Sequence, residues 1–280
     1  MAFSSAKSGF FYRFTYICLM KFFDTFFKKK SLSQVAREEG YVTDQKGIQN
    51  RFVREREHWQ LHLDNTKQYI LQSAKRSASK KSVAVLGSGW LLDVPVAELA
   101  QEFEEVYLYD IVHPEQIVVN MRKYPNVHLV VADLTDGAVE LAAQSHSFEE
   151  FCNSLAHISL TPNLQQFDFV VSVNLLNQLD IILCDYLKEK FSITESELIE
   201  IRKQVQQHHV DSLPKGKTCL ITDFCEENTS LNGTSVQKKK LLYCSLPTAT
   251  NMKEWQWIFD TNQTYHEGQN TILKVKAIEF

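Results

Sequence analysis

Gly87 and Gly89, separated by Ser88, follow directly on the apolar run Val83–Leu86. Asp110 comes about twenty residues later, closing the run Val106-Tyr107-Leu108-Tyr109. Glycines let a backbone approach a ligand closely and adopt dihedrals closed to other residues. A carboxylate at that distance can accept hydrogen bonds from both hydroxyls of a ribose. Asp133 follows a third expected strand, Val127–Val131, and can accept from an adenine amino group; Asn174 closes a fourth, Phe167–Val173. The chemistry expected is the binding of an adenosine-containing cofactor across strand ends. Each residue also has a plainer use. The glycines can serve any tight strand-to-helix turn, Asp110 and Asp133 can close turns, and Asn174 and Asn177 can cap their own loops. The spacing between the glycines and Asp110 favours the ligand.

Other candidate groups are weaker. His58 and His62 lie four apart in a helical stretch, a spacing metals use. No H-E-x-x-H pattern accompanies them, and an aromatic helix face around Trp59 is the better reading. His208-His209 reads as a surface turn. Six cysteines, at 18, 152, 184, 219, 225 and 244, form no C-x-x-C pair and lie in apolar surroundings. They read as reduced, buried thiols in a cytoplasmic protein, with no disulfide framework and no zinc site. No catalytic triad or metal set is evident. If a base is required, the candidates are His113 or a histidine of the 208–209 pair.

The elements that must hold these residues are legible as alternating strands and helices. Strands are expected over 83–86, 106–109, 127–131, 167–173 and 218–221, the last leading to Thr222-Asp223. A helix is expected over VPVAELAQEF, with Pro95 in its first turn. WQWIFD and TILKVKAIEF, joined by TNQTYHEGQN, read as a hairpin. The fold class expected is α/β, a doubly wound, mostly parallel sheet with a C-terminal antiparallel hairpin, preceded by an N-terminal helical segment. The division is residues 1–80 for the helical segment, a lid, and 81–280 for the sheet domain, with the basic stretch Lys75–Lys81 as linker.

The bulk numbers agree with a folded chain: 280 residues, 44% hydrophobic and 23% charged. A net charge of −4 gives no bulk reason to bind nucleic acid. No apolar run reaches membrane-spanning length, so an integral membrane protein is not expected. Residues 10–27 are dense in aromatics and are followed by Lys28–Lys30, which leaves peripheral membrane contact through residues 10–30 open. The same aromatics can bury against the home domain or against a second copy in a homodimer.

The set VAVLGSG, VYLYD, NVHLVVADL, FDFVVSVNLLNQL and LPKGKTCLITDF, with the terminal hairpin, resembles the class I S-adenosylmethionine-dependent methyltransferases over roughly Ser82 to Phe280. The resemblance implies S-adenosylmethionine as cofactor, S-adenosylhomocysteine as product, and a small-molecule or protein acceptor. It places Gly87, Ser88 and Gly89 around the methionine part, Asp110 with Ile111 at the ribose, Asp133 with Leu134 at the adenine, and Asn174 beneath the sulfonium. It also implies N-terminal helices over the cofactor, with Trp59 or Tyr69 facing the substrate. Two departures stand out. Leu91, after Trp90, takes the place of the family's third glycine, so the loop must change shape or pack more tightly. Asn-Leu-Leu-Asn-Gln after the fourth strand is not the Asn/Asp-Pro-Pro-aromatic sequence of enzymes that methylate exocyclic amines of bases or glutamine. Two other readings stay open: a non-catalytic binding or scaffold protein on the same fold, and an NAD-dependent oxidoreductase, which shares the glycines and the acid but expects the third glycine.

Overall fold

Val83–Leu86 is apolar at every position because both faces of its strand are covered. In the computed structural model, β1 (Ser82–Leu86) lies inside an eight-stranded sheet. The structure describes residues 40–158, 163–231, 233 and 236–280; the aromatic-basic segment, and with it the expectation of peripheral membrane contact, lies outside them. The remaining strands are β2 (Glu105–Asp110), β3 (Val127–Val131), β4 (Phe169–Val173), β5 (Thr218–Ser230), β6 (Val236–Lys240), β7 (Asn251–Asp260) and β8 (Gln269–Glu279). Their order is β3-β2-β1-β4-β5-β8-β7, with β6 on the free edge of β5. Strands β1 to β5 pair in parallel; β8 runs antiparallel to both β5 and β7. The doubly wound, mostly parallel sheet with a C-terminal antiparallel hairpin is therefore present.

Helices cover both faces. On one side Phe151, Leu176, Leu183, Leu187 and Ile201 build a core from α4 (Ala138–Gln144), α5 (Phe148–Leu155), α6 (Ile181–Lys190) and α7 (Glu195–Ser212). A capping box between Thr194 and Glu197 starts α7. On the other side α1 (Gly40–Arg76) and α2 (Val96–Glu102) pack with Ile70, Leu99, Val171 and Trp257. The short α3 (Glu115–Met121) follows β2. Pro95 sits at the N-cap of α2, one position before the expected first turn.

The N-terminal helix does more than cover the sheet. Trp59 and Tyr69, expected as candidates to face a substrate, are buried in the interface with β7. The Trp59 indole N–H donates to the Phe259 carbonyl at 2.9 Å, and its ring stacks on Phe259. The Tyr69 hydroxyl donates to the Asn251 carbonyl at 3.1 Å. Glu55, fully buried, accepts the backbone N–H groups of Thr261 and Asn262 and so closes the β7–β8 turn. At the other end of α1, Ser73 donates to Glu279 at 2.6 Å and Arg76 pairs with the same carboxylate.

Two elements differ from expectation. Strand β5 runs nine residues past Ile221, and β6 was not foreseen at all. Their sequences, DFCEENTS and VQKKK, are polar. Beyond the end of β4, β5 is held by β6 and β8, and Glu227 pairs with Lys238 at 2.9 Å and Lys274 at 3.1 Å. Backbone pairing and cross-strand charge replace the apolar alternation that marks a buried strand.

Candidate functional site

The parallel strand order reverses between β1 and β4, so a crevice opens beyond their carboxyl ends. The turn after β1 is tied to β2: the N–H groups of Gly87 and Ser88 both donate to the Tyr109 carbonyl, at 3.0 and 3.1 Å. Gly87 has φ +81°, and a Cβ there would stand 2.8 Å from the Val173 carbonyl oxygen. Only glycine allows the turn to lie this close to the end of β4. Gly89 has φ +43°, and a Cβ there would meet Asp110 Oδ2 at 3.9 Å and nothing else within 4 Å. One glycine makes the turn possible, and the other leaves an open side next to an acid.

Leu91 resolves one departure. Its φ is +56°, in the left-handed region, and its N–H donates to the Ser88 carbonyl at 2.8 Å. The turn keeps a glycine-like dihedral with a leucine in place, at a cost of roughly 1–2 kcal/mol. The side chain packs against the core under α1.

Asp110, at the end of β2, is half-buried. The Gly89 N–H donates to its Oδ2 at 2.7 Å and the Val112 N–H to its Oδ1 at 3.4 Å. Burial pushes its pKa up, while the Gly89 and Val112 N–H groups and the nearby His113 pull it down. Beside it, His113 Nε2 lies 3.2 Å from the Val130 carbonyl. A carbonyl only accepts, so Nε2 carries a proton. Nδ1 is buried with no partner among the described residues. Ile111 is half-buried next to it.

Asp133 closes its own turn: Oδ1 accepts from the Thr135 N–H at 2.8 Å and hydroxyl at 2.7 Å. Leu134 belongs to the core on the α4–α7 side. Asn174 has φ +47°, which asparagine tolerates better than most residues. Its backbone N–H donates to the Ile221 carbonyl at 2.9 Å, and its Nδ2 to Asp93 Oδ2 at 2.6 Å. The buried oxygens Asn174 Oδ1 and Asn177 Oδ1 have no partner among the described residues. The structure thus gathers Gly87, Gly89, Asp110 and Asn174 around the crevice, with Ser88 buried in the turn beneath.

Three residues at the same place were not foreseen as site residues: Asp93, His62 and Asp223. His62 does pack in the aromatic face, stacked on Trp257 at 3.8 Å, but its Nε2 also lies 3.3 Å from the Asn174 side-chain amide. Burial holds its pKa down at about 3. Asp223 is buried on β5, and burial, with the charge of Asp93, pushes its pKa up to about 7. The Gly-Ser-Gly signal points to the crevice, but no local pattern marks a lone acid in a loop as buried. His209 is a correction: it lies inside α7, 4% exposed, with Nε2 2.9 Å from the Ser172 hydroxyl. It faces the α4–α7 core, and burial lowers its pKa to about 4. His208 instead pairs with Asp136 at 3.1 Å.

The antiparallel β8, inserted between β5 and β7, decides the architecture. This is the sheet of a Rossmann-like methyltransferase fold. No protein-family model matches the chain, and no curated protein matches it. Solved structures similar to it include a 1,6-didemethyltoxoflavin-N1-methyltransferase of Burkholderia thailandensis bound to its substrate and S-adenosylhomocysteine. It is 9% identical, covering 86% of this chain and 90% of that one, with a TM-score of 0.38. A DhpI complex named for SAM and HEP is 15% identical, covering 88% of this chain and 95% of that one, at 0.37. The N-methyltransferase NodS of Bradyrhizobium japonicum with S-adenosylhomocysteine is 10% identical, covering 77% and 86%, at 0.35. Overlap this loose carries no argument; the methyltransferase fold rests on the chain's own sheet order. Among the described residues no helix is long and apolar enough to cross a membrane, and no group of three or more His, Cys, Asp or Glu could hold a metal ion.

Proposed function

We propose that the chain binds S-adenosylmethionine in the crevice and catalyses methyl transfer to a small-molecule or protein acceptor. The Gly89–Asp110 pair carries this reading: the open side of the glycine turn faces a strand-end acid that is held in place at 2.7 Å. The residues present fit an adenosine-containing group. Both carboxylate oxygens of Asp110 keep lone pairs beyond the two given to backbone N–H groups. Ribose hydroxyls and an adenine amino group are the donors such atoms need.

When bound, S-adenosylmethionine supplies an electrophilic methyl on a sulfonium, and S-adenosylhomocysteine remains as product. Gly87, Ser88 and Gly89 would hold its methionine part, Asp110 and Ile111 the ribose, Asp133 and Leu134 the adenine, and Asn174 would line the floor below the reacting centre. The chain's part is to orient the acceptor and keep water out, which supplies much of the rate for an in-line displacement. Residues 1–80 act as the covering segment over the domain 81–280. The five described cysteines are all free, which supports work in a reducing compartment such as the cytoplasm.

Calorimetric titration with S-adenosylmethionine, S-adenosylhomocysteine and NAD tests the reading. Micromolar binding of the sulfonium pair is expected, weakened by about 1.5–3 kcal/mol in Asp110→Ala because hydrogen bonds to a charged group are lost. Unchanged affinity in that variant removes the ribose assignment. Binding of NAD alone would replace the proposal with an oxidoreductase. Binding without turnover on any acceptor would favour a scaffold on the same fold, a reading to which the left-handed Leu91 lends some support.

A further inference from the structure

Two acids stand at the α1 side of the crevice with no cation paired to them among the described residues. Asp93 ends the glycine turn just before α2, and Asp223 lies on β5 two residues beyond Ile221, the last rung shared with β4. Strand alternation puts Asp223 on the face where Cys219 and Ile221 pack under α1. Register places Asp223, Val275 and Trp255 in one row across β5, β8 and β7. The Trp255 indole N–H donates to His62 Nδ1 at 3.1 Å, and His62 lies against Asn174, which donates to Asp93. The pairing of β5 with β8 shifts register directly after Asp223, a bulge that re-aims the strand at this point.

The hydrogen-bond account of this cluster does not close. Asp223 is 2% exposed, and its Oδ1 has no partner among the described residues. Thr66, one turn along α1 from His62 and fully buried, has a hydroxyl with no partner among the described residues. Lys67 is near enough to lower the pKa of Asp93, but no Lys or Arg among the described residues forms an ion pair with either acid. His62, with its pKa held at about 3, brings no charge. A buried acid left as Asp223 is, with half-buried Asp93 nearby, is costly and calls for a positive group with several donors. The described residues offer too few ligands for a metal ion. An alkylammonium supplies one charge and up to three donors, and aromatic rings such as Trp255 suit it.

We propose that Asp93 and Asp223 bind the ammonium head of an aliphatic amine acceptor, so that the accepting atom of this site is a nitrogen. The proposal rests on the methyl-transfer reading above. An ammonium has no lone pair to offer. Transfer of one proton from the nitrogen to the Asp223 carboxylate, breaking an N–H bond and forming an O–H bond, frees it.

The test uses protein saturated with S-adenosylhomocysteine and follows the Trp255 indole N–H resonance, assigned by its loss in Trp255→Phe. Ethylamine should move the resonance saturably in the millimolar range, and ethanol should not. Asp223→Asn and Asp93→Asn should each weaken ethylamine binding at least tenfold while S-adenosylhomocysteine affinity stays within twofold. If one variant does not melt cooperatively, the other decides. An equal response to ethanol, or ethylamine binding unchanged in the folded variants, overturns the proposal. So does a parallel loss of S-adenosylhomocysteine affinity, which would assign the acids to the cofactor's own α-ammonium. Failure of S-adenosylhomocysteine to bind the unaltered protein would be a separate result, against the methyl-transfer reading itself.

Discussion

Replacing Asp223 by Asn should make the folded protein more stable at alkaline pH than the unaltered chain. In the unfolded chain this carboxyl ionises near its ordinary value of 3.8, but burial and the charge of Asp93 let it keep its proton up to about pH 7 in the fold. Between those values the folded state binds more protons than the unfolded one, so stability falls as pH rises through that window and stays lower above it. At about 1.4 kcal/mol per pH unit, the ionised carboxylate costs the fold about 4 kcal/mol above pH 7. Asparagine carries no charge and escapes the penalty. His62 and His209 slope the other way: their pKa values sit at about 3 and about 4, so their contribution is present above the ordinary 6.5 and is lost as pH falls. Urea melts of both proteins at matched pH values from about 5 to 8 isolate Asp223, because the histidine contributions cancel in the difference. The stability gap should open in favour of the variant from about pH 5 to about pH 7 and level off above it. Parallel curves, or a gap that opens toward acid, would show that Asp223 ionises normally and is not desolvated as described.

Gly87→Ala and Gly89→Ala should separate folding from binding. The first places a Cβ 2.8 Å from the Val173 carbonyl oxygen at φ +81° and should cost about 2–4 kcal/mol in a urea melt. The second meets only Asp110 at 3.9 Å, should cost about 1 kcal/mol, and should reduce S-adenosylhomocysteine affinity more than its stability loss suggests. Leu91→Gly should change stability by less than about 1 kcal/mol, since relief at φ +56° offsets lost packing; a loss above about 2 kcal/mol would mean the side chain holds the turn.

The parts of this fold that could be read from sequence are those governed by local rules. Strands β1 and β4 announce themselves because strands covered on both faces are continuously apolar. Gly87 and Asp110 are visible because the first is forced by a close backbone approach and the second falls at a fixed distance along a strand–helix–strand unit. What stayed hidden depends on long-range context. DFCEENTS looks like a loop until β6 and β8 are laid beside it. Trp59 and Tyr69 look available for a substrate until β7, about 180 to 200 residues away in sequence, takes both. His209 sits next to the partly exposed His208, and only the orientation of α7 decides which of the two is buried. Asp93 and Asp223 carry no local sign that solvent has been withdrawn from them.

The clasp between α1 and the β7–β8 hairpin also bears on how the polypeptide is made. Trp59, Glu55 and Ser73 find their partners at Phe259, Thr261 and Glu279, about 200 residues downstream. During synthesis these groups of α1 must therefore wait for β7 and β8, which makes closure of the clasp a late event of high contact order. Until then the nascent chain lacks the cover that Trp257 and Phe259 give to Trp59, and Phe52 beside it is left with it. That aromatic pair is where a chaperone would hold the unfinished protein, and where crowded overexpression would first lose it to aggregation.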